Sequence, residues 1–225
     1  MTERIRFHFD PICPWCYQTS RWARRLAELG VVELDWGLFS LELVNATGGD
    51  LDEEARNAKQ HGRSTPALRT AVLVREQHGS QALGRFYAEL GRRVHELGEA
   101  VEAMETVAGA LVDAGFESSL AARALADDST WTRVQTEHRD LVEGTRSFGV
   151  PTIVLLDADG APDGAIFGPV ISEVPTDDDA VELFRHVAWL ARYENFSELK
   201  RDRTIDPDLE TFRRRRRRKR DVPAG

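Results

Sequence analysis

The sequence predicts an α/β protein in which the sheet-forming segments flank one long all-helical insertion. Three observations predict this fold class: strand and helix patterns alternate over the first 40 residues, helical periodicity alone fills residues 51–146, and strand patterns return at Pro151. We therefore expect an α/β unit formed by residues 1–47 and 147–200, and a helical insertion domain at residues 48–146. Residues 201–225 are expected to form an extended or disordered basic C-terminal tail.

The N-terminal unit has the pattern of a strand, a helix and a second strand. Apolar residues alternate with polar ones over Arg4–Phe9, which is typical of a half-buried strand. A helical pattern then runs from Pro14 to about Leu29, and Gly30 fits the position just past its end. Val31–Phe39 completes a βαβ unit.

The insertion and the C-terminal half have equally distinct patterns. In the insertion, apolar residues recur at spacings of three and four, as at Leu83, Phe86 and Leu90. After Pro151 come a short apolar strand, a turn rich in Asp and Gly, and a second strand at 165–167, which together indicate a β-hairpin. A last amphipathic helix is expected to begin at Thr176, ahead of three aspartates.

Composition excludes several classes of protein. The chain has 225 residues, 41% of them apolar, and no uninterrupted apolar run near the roughly 18 residues that cross a bilayer. The N-terminus lacks the apolar core of a signal peptide, so we expect a cytoplasmic protein. Two cysteines cannot form a disulfide-rich scaffold or a four-thiolate zinc site, and we expect no metal site.

Charge is distributed unevenly along the chain. The net charge is −8, but eight basic residues are concentrated in Arg213–Arg220, so the rest of the chain has 22 basic against 38 acidic residues, a net charge of −16. An acidic body of this size repels nucleic acid. Nucleic acid could therefore bind only through the basic tail, which is more often a solvated segment.

The two cysteines form a Cys13-Pro14-Trp15-Cys16 motif between the first strand and the first helix. Pro14 suits the first helical position, which places Cys13 at the N-cap, where first-turn amides and the helix dipole favour a thiolate. Cysteines at such sites have pKa values of about 3.5 to 7.5. Cys16 lies three residues on, within reach of a disulfide, so the motif predicts a nucleophilic and a resolving thiol.

A second motif, Gly149-Val150-Pro151-Thr152, opens the returning strand. Taken alone, an X-Pro bond is usually trans, since only about 5 to 6% are cis in folded proteins. In a thioredoxin-like core, however, a proline at this place would be cis and face the thiol pair. The backbone of Val150 would then be open to a bound substrate, as in strand addition.

Several segments resemble the DsbA-like family, and within it the mycothiol-dependent nitroreductases. The resemblance covers roughly residues 4–207 and rests on the segments Phe9 to Cys16, Ser20-Arg21-Trp22, Ser40-Leu41, Val150-Pro151-Thr152, Phe167-Gly168-Pro169-Val170 and Glu198-Leu199-Lys200-Arg201. It implies a thioredoxin fold with the helical insertion between strand 2 and the cis-proline strand. It also implies Cys13 as nucleophile, Cys16 as resolving cysteine and a cis Pro151.

The resemblance further implies partners and substrate-binding residues. Mycothiol, or another low-molecular-weight thiol, would donate electrons, with a mycoredoxin-like reductant completing the cycle on a disulfide or nitroaromatic substrate. Asn45 and His95 fall where such relatives line a substrate groove, beside Val150 and Thr152. Ala55 replaces an aromatic residue found in some nitroreductase relatives.

Bland alternatives accompany these assignments. Asn45 has the context of a turn residue before two glycines, and His95 that of a surface histidine on a helix. The chain as a whole could instead be an isomerase like the kappa-class transferases and 2-hydroxychromene-2-carboxylate isomerases, or a redox-regulated chaperone or binding module. A serine is typical at the first cysteine position of those isomerases. We also keep a homodimer as one assembly.

Overall fold

The computed structural model describes residues 2–45 and 62–220 of the chain, and residues 219 and 220 by their backbone alone. One part of the molecule is a four-stranded sheet. The strands are β1 (Glu3–Phe9), β2 (Val32–Leu38), β3 (Thr152–Leu156) and β4 (Pro162–Phe167). Their order is β2-β1-β3-β4. β1 runs parallel to β2 and antiparallel to β3, which pairs antiparallel with β4.

Helices cover the sheet and fill the interval between β2 and β3. α1 (Pro14–Glu28) crosses from β1 to β2, and α8 (Asp177–Arg192) packs against α1 and β4. Within the described residues, the remaining helices are α2 (Leu41–Val44), α3 (Thr65–His78), α4 (Ser80–Gly91), a π-helical segment (Arg92–Leu97), α5 (Met104–Asp113), α6 (Ser119–Ala126), α7 (Asp128–Thr145) and α9 (Glu210–Arg220). The α/β class and the thioredoxin fold expected from the sequence are confirmed.

The helical region is built around α3 and joined to the sheet by aromatic side chains. α3 is buried along most of its length and packs against α4, α6 and α7. Phe9 of β1 stacks on Tyr87 of α4, with ring centroids 3.6 Å apart. Among the described helices, none combines the length and apolar character that a membrane span requires.

One close approach holds α1 against the C-terminal end of α4. A Cβ built on Gly91 would lie 2.1 Å from the Tyr17 ring of α1, so a larger residue at position 91 would displace that ring. Tyr17 is itself buried and stacks on His95 of the π-helical segment. The helical region therefore contacts α1 directly, one residue after Cys16.

The basic tail differs from expectation. Residues 201–209 have no regular secondary structure, but residues 210–220 form α9, and residues 221–225 lie outside the described part of the chain. Acidic neighbours offset the repulsion within the arginine run, since Arg213 pairs with Asp208 at 2.6 Å and Arg214 with Glu210 at 3.2 Å. The expectation of an extended or disordered segment is therefore wrong for α9.

A half-buried ion pair ties the edge of the sheet to two helices. Arg75 of α3 and Glu137 of α7 form two hydrogen bonds of 2.9 and 2.7 Å. The same Glu137 accepts from the Leu38 amide at 3.0 Å, and Arg75 donates to the Trp36 carbonyl at 3.2 Å. The pair thus satisfies backbone groups of the edge strand β2 that have no strand neighbour on that side.

We expect Glu137→Gln to lower the free energy of unfolding by about 2 kcal/mol, because it leaves Arg75 without its charged partner in a poorly solvated place. The measurement is urea unfolding at neutral pH. The matched control is Glu76→Gln, which breaks an exposed ion pair with Arg133 and should change stability by at most about 0.5 kcal/mol. Equal effects of the two substitutions would contradict the assigned role of Glu137.

Candidate active site

The Cys13-Pro14-Trp15-Cys16 motif lies where β1 ends and α1 begins. Cys13 is the N-cap residue and Pro14 the first helical residue, as the sequence predicts. The Cys16 amide donates to the Cys13 sulfur over 3.3 Å. Both cysteines are free thiols and both are buried, Cys13 with 7% of its surface exposed and Cys16 with none.

The surroundings separate the acidities of the two thiols. Hydrogen bonding from the Cys16 thiol lowers the pKa of Cys13, against the opposing effect of burial, and amides of the first turn add to the lowering. Burial raises the pKa of Cys16 well above its ordinary value, and donation to Cys13 raises it further. The arrangement favours one thiolate, on Cys13, with a protonated thiol beside it.

The Val150–Pro151 peptide faces this thiolate position. The peptide is cis, as the family resemblance implies, and the Cys13 thiol lies 3.8 Å from the Val150 carbonyl oxygen. Thr152 is buried, and its hydroxyl contacts the Ser147 hydroxyl at 2.7 Å and donates to the Gly149 carbonyl at 2.8 Å. The Thr152 side chain therefore holds the turn in place.

Asp10 is a buried carboxylate beside the motif that the sequence analysis did not single out. It accepts hydrogen bonds from the Ile12 amide (3.0 Å), the Leu41 amide (2.7 Å) and the Ser64 hydroxyl (3.2 Å). Burial raises its pKa to about 6, despite the opposing effect of these donors. One carboxylate thus joins the cysteine loop to α2 and to the residue that precedes α3.

His95 is placed beneath the cysteine loop, not on a helix surface. Its Nε2 lies 2.9 Å from the Pro11 carbonyl oxygen, and its ring stacks on Tyr17 with centroids 5.3 Å apart. Because a carbonyl only accepts, Nε2 carries the proton. Burial lowers the pKa of His95 to about 4, so the ring is neutral at pH 7.

Two predicted residues, Trp15 and Asn45, remain to be placed, and two side chains that were not predicted, Arg203 and Phe148, lie near the cysteine motif or the cis-proline turn. Trp15 is half-buried, and the Arg203 guanidinium lies over its ring. Phe148, just before the cis-proline turn, is 69% exposed and contacts the Phe167 ring. Asn45 is exposed at the end of α2, and no contact within the described residues joins it to the cysteine motif.

Residue 55 and metal ligands are the remaining features that the sequence analysis considered for the site. Residue 55, where the aromatic side chain of some relatives is missing, lies outside the described residues. Over residues 2–45 and 62–220, no three His, Cys, Asp or Glu side chains gather in a way that could hold a metal ion.

Comparison with known proteins gives a family match over most of the chain. Residues 12–201 match the family described as Rv2466c-like, mycothiol-dependent nitroreductase Rv2466c. The uncharacterized protein Rv2286c of Mycobacterium tuberculosis is 33% identical over 201 residues, covering 89% of this chain and 82% of that protein.

Solved structures with the same fold are more distant in sequence. The cytosolic disulfide reductase DsbM from Pseudomonas aeruginosa has a TM-score of 0.57 at 15% identity, covering 84% of this chain and all of that one. A 2-hydroxychromene-2-carboxylate isomerase has a TM-score of 0.56 at 17% identity, covering 84% and 96% of the two chains. At these identities the likeness shows the fold alone.

We expect Cys16→Ala to raise the pH at which Cys13 becomes reactive, because it removes the thiol that stabilises the Cys13 anion. In the unmodified protein the alkylation midpoint should lie below the ordinary value of about 8.5. The measurement is the rate of iodoacetamide labelling between pH 4 and 10. Cys16→Ser, which keeps a hydroxyl donor, is the matched control and should shift the midpoint less. A midpoint at or above that ordinary value in the unmodified protein would contradict the thiolate assignment.

Asp10 should make folding stability depend on pH. Its folded pKa of about 6 lies above the unfolded value near 4, so the folded state retains a proton that the unfolded state has lost. The contribution is fully present below pH 4 and is lost as pH rises through 6, a change of about 3 kcal/mol.

We expect Asp10→Asn to remove this dependence. The measurement is the difference in unfolding free energy between the variant and the unmodified protein at pH 4.5 and 7.5 in urea. Relative to the variant, the unmodified protein should lose stability as pH rises over this window. A difference that is constant with pH would contradict the raised pKa.

Proposed function

Because this chain belongs to the Rv2466c-like family of mycothiol-dependent nitroreductases, we propose that it is a thiol-disulfide oxidoreductase acting through Cys13 as nucleophile and Cys16 as resolving thiol. The observation that carries the proposal is the polarised thiol pair: the Cys13 sulfur accepts from the Cys16 amide at 3.3 Å and lies 3.8 Å from the carbonyl of the cis-proline turn. One sulfur is prepared for attack and the other for resolution.

The first half-reaction consumes a disulfide. The Cys13 thiolate attacks one sulfur of the substrate disulfide, a new bond joins the two sulfurs, and the other substrate sulfur leaves as a thiolate. Cys16 then gives its proton to the departing substrate thiolate and attacks the Cys13 sulfur. The second substrate thiolate leaves, and a Cys13–Cys16 disulfide remains. Residues Val150 and Pro151 support the substrate backbone on the opposite side of Cys13.

The second half-reaction restores the dithiol. Two molecules of a low-molecular-weight thiol, mycothiol in this proposal, reduce the Cys13–Cys16 disulfide in two exchanges and are themselves joined as a disulfide. A mycoredoxin-like protein would reduce that product. The family membership supports this choice of thiol. Reductive turnover needs a compartment rich in reduced thiols, so the proposal includes a cytoplasmic location.

A nitroaromatic compound is the alternative electron acceptor. Oxidation of the dithiol to the disulfide releases two electrons and two protons, which convert a nitro group to a nitroso group and one water. Trp15 is half-buried two residues after Cys13, and the part of its ring that the Arg203 guanidinium does not cover gives a flat ring a surface on which to stack. The same dithiol would serve both substrate classes.

An isomerase function is the rival reading, because a 2-hydroxychromene-2-carboxylate isomerase has the same fold. We favour the oxidoreductase, since the chain has a second thiol three residues after the first, and isomerisation has no use for a resolving cysteine. The buried, protonated Cys16 donating to Cys13 fits electron transfer.

Two serine substitutions separate the roles of the thiols. We expect Cys13→Ser to reduce disulfide reductase turnover roughly a thousandfold or more, because the nucleophile is lost. Cys16→Ser should react once and then stop, retaining one substrate thiol as a mixed disulfide on Cys13, since nothing resolves it. Turnover with mycothiol as donor and intact-protein mass spectrometry are the measurements. Retained turnover in Cys13→Ser, or none in the unmodified protein with both thiols reduced, would refute the proposal.

A further inference from the structure

The C-terminal segment, residues 201–220, is fixed to both sides of the site. Near the cis-proline side, the Ser172 hydroxyl donates to the Ile205 carbonyl at 3.0 Å, and the Ser172 carbonyl accepts from the Asp208 amide at 2.6 Å. Leu209 is fully buried. The segment is therefore attached to the loop that follows β4.

On the other side, the same segment docks on the π-helical segment that carries His95. The Thr211 hydroxyl donates to the His95 carbonyl at 2.7 Å, and the Glu210 amide donates to the Glu96 carboxylate at 2.8 Å. Arg203 precedes the first of these anchors by two residues, and its side chain contacts Trp15 of the cysteine motif.

The Arg203 guanidinium lies over the Trp15 ring. Its guanidinium carbon lies 5.4 Å from the centroid of the Trp15 ring, which is within the range of a cation–π contact. Arg203 is exposed and has no carboxylate partner among the residues that the structure describes, whereas three arginines of α9 are paired with acids: Arg213, Arg214 and Arg216. The contact with Trp15 thus holds the Arg203 guanidinium in place without neutralising its charge.

A guanidinium that lies over an aromatic ring can still donate hydrogen bonds to a ligand. Arginine has five N–H donors in the plane of the group, arranged to bind a carboxylate with two parallel hydrogen bonds. Contact with an aromatic ring uses the face of the group and leaves these donors directed outwards at its edge. Trp15 is two residues after Cys13, so an aromatic disulfide whose sulfur meets Cys13 has its ring within reach of that edge.

We propose that Arg203 is a specificity-determining residue, which selects aromatic disulfide substrates bearing a carboxylate. The inference rests on the proposed thiol-disulfide activity and adds the substrate class. Arg203 binds the substrate carboxylate while the Cys13 thiolate attacks the adjacent sulfur. Its effect is on substrate binding and not on the thiolate, because the strongest influences on the pKa of Cys13 come from the Cys16 thiol, burial, the first-turn amides and Asp10.

The test compares two aromatic disulfides that release coloured thiols: dithiobis(nitrobenzoic acid), which has carboxylates, and dithiodipyridine, which is neutral. We expect Arg203→Ala to raise KM for the carboxylated probe about tenfold, the loss typical of a charge-assisted hydrogen bond. KM for the neutral probe should change less than about twofold. Arg203→Lys should raise KM for the carboxylated probe less than Arg203→Ala does, since lysine keeps the positive charge but cannot donate two parallel hydrogen bonds.

Two controls distinguish recognition from a structural effect. Arg201→Ala removes an exposed arginine of the same segment and should leave both probes unchanged. The pH profile of Cys13 alkylation should be the same in Arg203→Ala as in the unmodified protein. If Arg203→Ala affects both probes equally, or neither, the inference is overturned while the proposed activity stands. If the unmodified protein reduces neither probe, the proposed activity itself is overturned, and the inference with it.

Discussion

The contact between the Cys16 amide and the Cys13 sulfur, in the first turn of α1, is the constraint on which the site depends. It requires that a helix begin at Pro14 and that Cys13 stay outside it, so the strand β1 must end where it does. Asp10 secures that end by accepting from three donors on different segments. Reactivity at one sulfur is thus a property of how a strand, a loop and two helix starts are joined.

The position of the cysteine motif and the first three elements of the fold could be predicted, because they follow from the preferences of neighbouring residues. The N-cap position of Cys13 follows from the helical preference for proline in the first turn, and the βαβ unit follows from the spacing of apolar residues. The cis Val150–Pro151 peptide came from family resemblance, since local preference favours the trans form.

Other features could not be predicted, because they depend on contacts between distant segments. An Asp before a Pro has the local character of a turn residue, and only burial beside α2 and α3 gives Asp10 its raised pKa. His95 has a helical context that says nothing of its contact with Pro11, 84 positions away. The contact of Arg203 with Trp15 and the helix α9 depend on how the C-terminal segment packs against the rest of the protein. A run of arginines in the sequence does not indicate this packing.

The fit of Tyr17 against Gly91 has a consequence for motion. The ring fills the space that a side chain at position 91 would need, and it belongs to the residue directly after Cys16. A rotation of the helical region away from the sheet would have to move this ring, which belongs to the first turns of α1. We therefore expect such a motion to displace the residues next to Cys16.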